Sequence, residues 1–490
     1  MMISILIFFP LIVALAVLLS GEKAKQTALT GSVIQFALSV YFALSFSPDG
    51  GTQFSQNYWW VKGLGISYHV GMDGISLLLV LLTTFLTPLI ILSSFSHQYK
   101  NPGLFYALIL FMQMALIGVF VSLDAFLFYV FWELALIPIY LICLIWGGKE
   151  RVKITLKFFI YTLFGSLLML VALIWLWAQT PGTHTFDIQA LYSLSLTDTQ
   201  QSWVFWALFI AFAIKIPIFP FHTWQPDTYT DSPTQGTMLL SGIMLKMGIY
   251  GILRWLLPVV PDGAREWADL VILLSVIGIV YASLIAWVQK DFKRLIAYSS
   301  IAHVGLITAG VLSLSFQGVH GGVFQMLSHG INVVGLFFIA DIIQRRTDTR
   351  DMSSLGGIRL DAPVFSTYFI IILLASVALP LTNGFVGEFL LLNGIYQYST
   401  SAAVFSGLTI IFGAVYMLRS YRKIVLGDKN TTLAPFKELT LNEKWVLVPL
   451  VILIFWMGIF PDFFLSISEP SVKTLRDIIY ASGTLESNPL

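Results

Sequence analysis

Two lysines lie inside apolar segments that are long enough to cross a membrane. Lys215 occurs in FIAFAIKIPIFPF and Lys246 in LLSGIMLKMGIYG. An ammonium group at bilayer depth costs roughly 3 kcal/mol on insertion scales, so such a residue is a candidate functional site. Lysine is also able to give up its proton in a buried site, whereas arginine stays charged. The sequence therefore predicts that both lysines take part in moving protons or other ions.

Two glutamates and two histidines lie in further apolar segments: Glu133 in FYVFWELALIPIY, His303 in SSIAHVGLI, His329 in QMLSHGINVV and Glu388 in NGFVGEFLLL. Glu133 follows Asp124, which begins its segment, and a helical rise of 1.5 Å per residue places it roughly 13 Å deeper. Histidine changes charge near neutral pH, so the set predicts a proton relay. The alternatives are carboxylates at helix ends, a static ion pair and hydrogen-bonded core histidines.

Composition determines the structural class. At 57% hydrophobic and 11% charged residues, the chain lies outside the range of soluble proteins. About fourteen apolar runs approach the roughly 20 residues of a spanning helix, which predicts an all-α, polytopic membrane protein and excludes a β-barrel. The runs are 2–20, 27–45, 71–95, 103–122, 124–146, 153–179, 202–220, 234–257, 267–289, 293–312, 320–343, 363–398, 402–425 and 442–463.

The remaining composition excludes several kinds of site. Cys143 is the only cysteine, so the chain can hold neither an iron–sulfur cluster nor an internal disulfide. The histidines show no metal-ligand spacing, and we expect no metal or other cofactor in this chain. A net charge of +1 without a basic patch gives no indication of nucleic acid. The first run lacks a basic leading segment and is predicted to be a retained helix.

Positive charge predicts the orientation. Apart from Lys215 and Lys246, most lysines and arginines fall in loops of one parity. The exceptions are Lys62, Arg254, Arg265, Lys473 and Arg476. Because short basic loops remain in the cytoplasm, both termini are expected on the periplasmic side of a bacterial inner membrane.

Prolines interrupt two of the runs. Pro217 and Pro220 break the seventh run, freeing the carbonyls of Ala213 and Ile216, and Pro380 breaks the twelfth, freeing that of Ser376. Broken helices in matching positions are typical of inverted repeats with an ion site at their interface. We therefore expect two inverted five-helix repeats, spans 4–8 and 9–13, with discontinuous helices 7 and 12. Glu388 would then occupy the position in the second repeat that Lys215 occupies in the first.

The repeats predict four parts of the chain: 1–100 with helices 1–3 and an extracytoplasmic loop, 101–257, 258–425, and 426–490 with helix 14 and a tail. Polar residues at the ends of the runs are interpreted as structural. These are His222, Asp227 and Asp231 after the seventh run, and Asp291, Lys293 and Arg294 at the start of the tenth, which are expected to anchor the membrane interface.

Five segments together resemble the antiporter-like subunits of respiratory complex I. They are FWELALIP, FAIKIPIFPFHTWQPD, LLSGIMLKMGIYG, QKDFKRLIAYSSIAHVG and TNGFVGEF, and the resemblance covers residues 60–460. Within that family, LKMGIYG and a glutamate in the twelfth helix are similar to the M-type subunits. The L-type and N-type subunits and the cation/proton antiporters usually have lysine there. The absence of a long amphipathic segment after residue 463 also argues against the L type.

The resemblance implies a proton-translocating membrane-arm subunit of NADH–quinone oxidoreductase. It implies that Glu133 and Lys215 form the coupled pair at which protons enter, and that Lys246 is the central lysine. His303 and His329 would be links, and Glu388 the terminal carboxylate. FMN, iron–sulfur clusters and quinone are expected in partner subunits. The expected partners are the L-type and N-type subunits and the lipid bilayer.

The chain departs from the family at three positions. Val333 stands where several sibling subunits have lysine, and Gln225 and Tyr229 replace the commoner leucine and histidine types. These differences leave the role of the segment after the seventh run open. The alternative functions are a subunit of a cation/proton antiporter, a subunit of a membrane-bound hydrogenase and a passive scaffold.

Overall fold

A computed structural model describes residues 2–430 and 434–481 of the chain, and helices dominate it. In chain order the helices are α1 (Met2–Leu19), α2 (Ala24–Leu44), α3 (Gly74–Ser93), α4 (Pro102–Val121), α5 (Ala125–Trp146), α6 (Arg151–Gln179), α7 (Ile188–Tyr192), α8 (Asp198–Lys215), α9 (Gln225–Asp231), α10 (Thr234–Leu239), α11 (Lys246–Gly251), α12 (Pro261–Val288), α13 (Phe292–Leu312), α14 (Phe316–Thr347), α15 (Ile358–Asp361), α16 (Pro363–Ser376), α17 (Asn383–Tyr398), α18 (Thr400–Ile424), α19 (Leu441–Ile459) and α20 (Asp462–Ala481).

Twelve helices in the described residues are long and apolar enough to cross a membrane. They correspond to all of the predicted runs except the seventh and the twelfth. The seventh run is interrupted where α8 ends at Lys215, with α9 following only after the run, and the twelfth run is divided between α16 and α17. The chain is therefore a multi-pass membrane protein, and the count of fourteen spans stays a prediction.

The breaks fall where the prolines predict them. α8 ends at Lys215 and α16 at Ser376, just before the proline segments. The carbonyl of Ala213, expected to be free, instead accepts a hydrogen bond from the backbone N–H of Ile218 (2.9 Å). That expectation was wrong because the chain after Lys215 turns back on the helix end and supplies a new donor.

The two halves repeat the same order of elements. In each half, three long helices precede the divided helix and one long helix follows it. The first set is α4, α5, α6, α8 with α9, and the helix of α10 and α11. The second set is α12, α13, α14, α16 with α17, and α18. The inverted relation of the halves and the four predicted parts of the chain stay predictions.

α10 and α11 belong to one continuous helix, Thr234–Leu256. Two π-helical segments, Leu240–Met244 and Ile252–Leu256, flank the short α-helical stretch that begins at Lys246. π-Helical turns are rare and frequently mark functional sites. A Cβ atom on Gly248 would lie 2.9 Å from the carbonyl oxygen of Phe212, so this glycine lets α11 pack closely against α8.

A β-hairpin lies within the otherwise α-helical fold. Strands β1 (Gln53–Val61) and β2 (Ile66–Met72) pair antiparallel, with Asn57 opposite His69. The third predicted run therefore begins as a strand, and its helix starts only at Gly74. His69 ties the hairpin to α7 through a 2.7 Å contact between its Nδ1 and Oδ2 of Asp187. Burial alone would raise the pKa of Asp187, but the hydrogen bond and charge of His69, together with hydrogen bonds from the backbone N–H groups of Gln189 and Ala190, outweigh it and lower that pKa.

A second correction concerns the end of the chain. α20 is a 20-residue helix that buries Val472, Leu475 and Ile479 on one face and exposes Lys473 on the other. The backbone N–H of Gly74 donates to its Ser471 hydroxyl (3.0 Å). The expectation that no long amphipathic segment follows residue 463 was therefore wrong, because α20 is a helix with one apolar face. The M-type resemblance then depends on its motifs alone.

The buried helices lie at the centre of the molecule. The apolar parts of α14 and of Thr234–Leu256 are completely buried inside the protein, and that of α13 is 94% buried. By contrast, only 28% of the corresponding part of α18 is buried. Polar side chains on the three central helices therefore face protein, which is where the bilayer allows them.

Candidate functional site

Lys246 is fully buried and lies between two central helices. Its Nζ donates to the backbone carbonyl of Ser241 (2.6 Å) and lies 3.0 Å from Nδ1 of His329 on α14. In residues 2–430 and 434–481, no ion pair includes this lysine. Its partner is therefore a group that also carries and releases protons.

His329 connects Lys246 to α13. Its second ring nitrogen, Nε2, lies 3.0 Å from the hydroxyl of Ser300. Ser300 and His303 are three residues apart on α13 and so lie on one face of that helix. The ring centres of His329 and His303 are 6.1 Å apart. Both nitrogens of His329 thus contact groups that exchange protons.

Glu388 completes the set from α17. Its Oε1 lies 2.9 Å from Nδ1 of His303, at an angle that does not make a hydrogen bond, and accepts from Nε2 of Gln325 at 3.4 Å. The Glu388 side chain is 1% exposed. The order in space is therefore Lys246, His329, His303 and Glu388, which reverses the predicted order of the two histidines.

A small cavity lies between the histidines. Its volume is about 20 Å³, enough for one or two water molecules. Ser300, His303, Gln325, His329 and Asn332 line it, together with the end of α16. The Nδ2 group of Asn332 donates to the carbonyl of Ala375 (3.2 Å). The break in the twelfth run therefore faces a polar cavity, where irregular backbone is tolerated at membrane depth.

Lys215 has a different environment in the first half. It is 3% exposed, and its Nζ lies 5.0 Å from the centre of the Trp132 ring on α5. Glu133, the next residue on α5, is only partly buried. No ion pair joins Glu133 to Lys215 in the described part of the chain. The predicted electrostatic coupling of the two residues stays a prediction, without direct contact.

Lys293 is buried, whereas the sequence predicted a residue at the membrane interface. It was interpreted as an interfacial anchor, but it is 3% exposed and its Nζ donates to the carbonyl of Ser232 (2.7 Å). The neighbouring Arg294 does pair with Asp227, at 3.0 Å. Lys293 is buried because α9 and α14 cover the start of α13, which neighbouring sequence does not reveal.

Sequence reasoning also missed the neutral polar residues of the site: Ser300, Gln325, Asn332 and the aromatic Trp132. A signal existed for two of them. Gln325 precedes His329 by one helical turn, and Ser300 precedes His303 by about one turn, so each shares a face with a predicted residue. Within the described ranges, no group of three or more His, Cys, Asp or Glu side chains is placed to hold a metal ion.

Comparison with known proteins agrees with the fold. The family described as "NADH:quinone oxidoreductase/Mrp antiporter, TM" matches residues 122–413. That described as "NADH-ubiquinone oxidoreductase chain 4, amino terminus" matches residues 2–119. NADH-quinone oxidoreductase subunit M of Rickettsia typhi is 42% identical over 489 residues, covering 96% of this chain and 98% of the relative. The chain belongs to the NADH-quinone oxidoreductase subunit M family.

Further matches extend the likeness. Subunit M of Rhodobacter capsulatus is 41% identical and covers 99% of this chain and 98% of its own length. A chain in the structure of respiratory complex I from Thermus thermophilus with bound NADH superposes with a TM-score of 0.91 at 29% identity, covering 98% of this chain and all of that one. A chain of the Mrp complex from Dietzia shares the fold, with a TM-score of 0.86 at 20% identity over 97% of this chain and 98% of that one. The resemblance to antiporter-like subunits is thereby confirmed.

Proposed function

We propose that this chain is the proton-translocating, M-type membrane-arm subunit of an NADH-quinone oxidoreductase. Its contribution is the movement of protons through buried side chains. NADH oxidation and quinone reduction take place in other subunits, which hold FMN, the iron–sulfur clusters and quinone. Glu133, Lys215, Lys246, His303, His329 and Glu388 carry the protons.

The observation that supports this function is the row of closely spaced proton-exchanging groups from Lys246 to Glu388, with a small cavity between the two histidines. A histidine is able to accept a proton at one nitrogen and release one from the other. His329 is positioned for this, because one nitrogen contacts Lys246 and the other contacts Ser300. Water in the cavity between the rings would carry the proton on to His303. From there Glu388 lies 2.9 Å away.

The first half of the chain regulates this proton transfer. An ammonium group over an aromatic ring is stabilised by about 0.5–2 kcal/mol, so Trp132 favours the charged form of Lys215. Glu133 adds attraction from the same helix as Trp132. Electron transfer elsewhere in the enzyme would alter a neighbouring subunit and thereby the environment of Glu133. The equilibrium between the charged and neutral forms of Lys215 then changes, and the protonation of Lys246 changes with it.

The surroundings follow from the same assignment. The chain lies in the bacterial inner membrane with both termini on the periplasmic side, beside the L-type and N-type antiporter-like subunits. α20 packs against the start of α3, which follows the hairpin, and against the turn Pro48–Gly50, which precedes it. The hairpin and α20 therefore lie on one side of the bundle, consistent with one extracytoplasmic layer. Purification of the native complex tests the assignment, since a cation/proton antiporter would lack flavin and iron–sulfur proteins.

The decisive test removes one charge from each half. In an assembled complex, Lys215→Ala and Glu388→Gln should each lower proton pumping by roughly tenfold or more, because each deletes a positioned proton-transfer group. Pumping is measured in inverted membrane vesicles with a pH-sensitive dye, and assembly by native gel electrophoresis.

Glu443→Gln is the matched control. Glu443 is also a buried carboxylate, but Arg345 (2.8 Å) and Arg346 (2.6 Å) hold it in a static ion pair. The substitution should lower the yield of complex and leave pumping per assembled complex unchanged. Normal pumping in assembled Lys215→Ala and Glu388→Gln complexes would contradict the proposed function and favour the passive scaffold.

A further inference from the structure

A polar vestibule opens on the side of the molecule that carries the basic loops. Its volume is about 710 Å³, and His97, Asp231, Asp341 and Arg350 are among the residues that line it. Carboxylates and an imidazole at an open surface exchange protons with bulk water. None of the six residues of the proposed proton path lines this vestibule.

Lys293 lies at the inner wall of the vestibule. Its side chain is almost completely buried, and its only hydrogen bond within the described ranges goes to the carbonyl of Ser232. No carboxylate within those ranges lies at ion-pair distance from its Nζ. Burial of an ammonium group without a carboxylate partner is energetically costly, so such a residue is a candidate functional site.

Two polar residues of α9, Gln225 and Tyr229, lie about one helical turn apart, and Gln225 contacts α13 about one turn beyond Lys293. Gln225 Nε2 donates to the carbonyl of Ala297 (3.3 Å), which is four residues after Lys293 and three before Ser300 on α13. With a rise of 1.5 Å per residue, Gln225 contacts α13 roughly 6 Å along the axis from Lys293 and roughly 4.5 Å from Ser300. Gln225 therefore bridges the interval between the vestibule and the relay.

The remaining polar atoms of Gln225 and Tyr229 face each other. Oε1 of Gln225 and the hydroxyl of Tyr229 are buried, and neither makes a well-formed hydrogen bond to any other group in the described residues; both side chains are 0% exposed. A buried polar group left unpaired costs about 1–3 kcal/mol, so two of them in one place indicate a function or bound water. Gln225 and Tyr229 are also positions where the chain departs from the residue types of its family.

We propose that the vestibule, Lys293 and the Gln225–Tyr229 pair form the path by which protons from the basic-loop side reach Ser300 and His329. The amine of Lys293 takes a proton from water in the vestibule and becomes an ammonium group. It then gives a proton to the Tyr229 oxygen as the hydroxyl releases its own proton toward Ser300, so Lys293 and Tyr229 both end neutral. Gln225 holds the intervening hydrogen-bonded chain against α13.

This path rests on the proposed function, because it supplies the relay described above. It also explains the two departures from the family. A tyrosine hydroxyl relays a proton where the commoner histidine would do so, and an amide replaces an apolar leucine beside it.

Tyr229→Phe gives the sharpest test. The substitution removes only the hydroxyl oxygen, whose polar neighbour is the Gln225 side chain, so a purely structural Tyr229 predicts pumping within about twofold of the original rate. The path predicts a loss of roughly a hundredfold in the proton-pumping rate of the assembled complex, the lower end of what a positioned proton-transfer group contributes. Tyr229→His should restore the rate to within about twofold, since imidazole also relays protons. Unchanged pumping in Tyr229→Phe would overturn the role of the hydroxyl.

Lys293→Arg tests the first acceptor. Arginine keeps the charge and the hydrogen bond to Ser232 but does not release its proton, so we expect a loss of roughly tenfold in pumping. Lys290→Arg is the matched control, an exposed lysine three residues earlier that should pump normally. Lys215→Ala is measured in parallel. If it stops pumping while Lys293→Arg pumps normally, the uptake path is overturned and the proposed function stands. If neither variant lowers pumping, the proposed function itself is contradicted.

Discussion

The two broken helices differ in how they hold their charged residue. Lys215 is the last residue of α8, directly before the first break, and its nearest described partner is the ring of Trp132. Glu388 lies beyond the second break, inside α17, and contacts His303 and Gln325. The first charge therefore makes no hydrogen bond or ion pair within the described residues and is isolated in that sense, whereas the second contacts neighbours that exchange protons.

This difference corrects the expected equivalence of the two residues. Counted from Pro220 and Pro380, Lys215 corresponds to Ala375, and Glu388 corresponds to Thr228. The halves share the order of their elements but not the location of their chemistry. An isolated charge responds to a change in the electric field, and a connected one passes a proton on. The first half is thus suited to control and the second to conduction.

The most direct test of this difference between the halves is at His329, which joins them. His329→Ala removes both the contact with Lys246 and the contact with Ser300, so the connected half should lose its supply. We expect the pumping rate of the assembled complex to fall roughly a hundredfold, the lower end of the range for loss of a positioned acid–base group. Proton uptake by inverted vesicles measures the effect.

His320→Ala is the control for that prediction. His320 is a second buried histidine on α14, but its Nε2 lies 3.1 Å from the carbonyl of Leu465 on α20 and outside the row of relay groups. Its removal should change pumping by less than about twofold, within the effect of an ordinary structural substitution. Equal losses in both histidine variants would show that α14 is sensitive to any cavity, and the division into control and conduction would fail.

A smaller effect is expected in the first half, at Trp132. Trp132→Leu removes the ring beneath the Lys215 ammonium group, a contribution of about 1 kcal/mol, and should change the pumping rate about two- to fivefold. Trp132→Phe keeps an aromatic face and should remain within about twofold of the original rate. The comparison uses rates per assembled complex. If Trp132→Leu matches the loss in Lys215→Ala, the ring is an essential part of the path and the first half is not only a control element.

Much of the architecture follows from one-dimensional features of the sequence. The twelve intact spans correspond to long apolar runs, and both breaks follow from prolines, because a proline removes a backbone donor wherever the helix lies. The six candidate residues stand out because each is ionisable within an apolar run. None of these inferences requires knowledge of which helices are neighbours.

The parts that the sequence did not predict depend on helix packing. That His329 and not His303 contacts Lys246 is decided by how α14 lies between α11 and α13. The burial of Lys293 and the separation of Glu133 from Lys215 have the same origin. In α20 the spacing of Val472, Leu475 and Ile479 was a readable amphipathic signal, which Pro470 obscured. The hairpin was missed because the composition pointed to helices throughout.

The smallest expected effect concerns the backbone of the second break. Leu381 has φ of 72° there, in the left-handed region that costs a residue with a side chain about 1–2 kcal/mol. Its side chain is 65% exposed, so removing it sacrifices little packing. Leu381→Gly should therefore stabilise the complex by about 0.5–1 kcal/mol, after the greater flexibility of glycine in the unfolded chain is subtracted. Thermal unfolding in detergent measures this.

Leu379→Gly is the matched control, because Leu379 lies in the same break, is 44% exposed and has a negative φ. Glycine at position 379 relieves no backbone strain and should lower stability by about 0.5–1 kcal/mol through the entropy of the unfolded chain alone. Opposite signs for the two variants would show that the second break holds a strained backbone in place, as rigid sites commonly do. Since neither leucine contacts the relay, pumping should stay unchanged in both. A loss of stability in both variants would mean that the break is relaxed, and that its cavity alone distinguishes the second half.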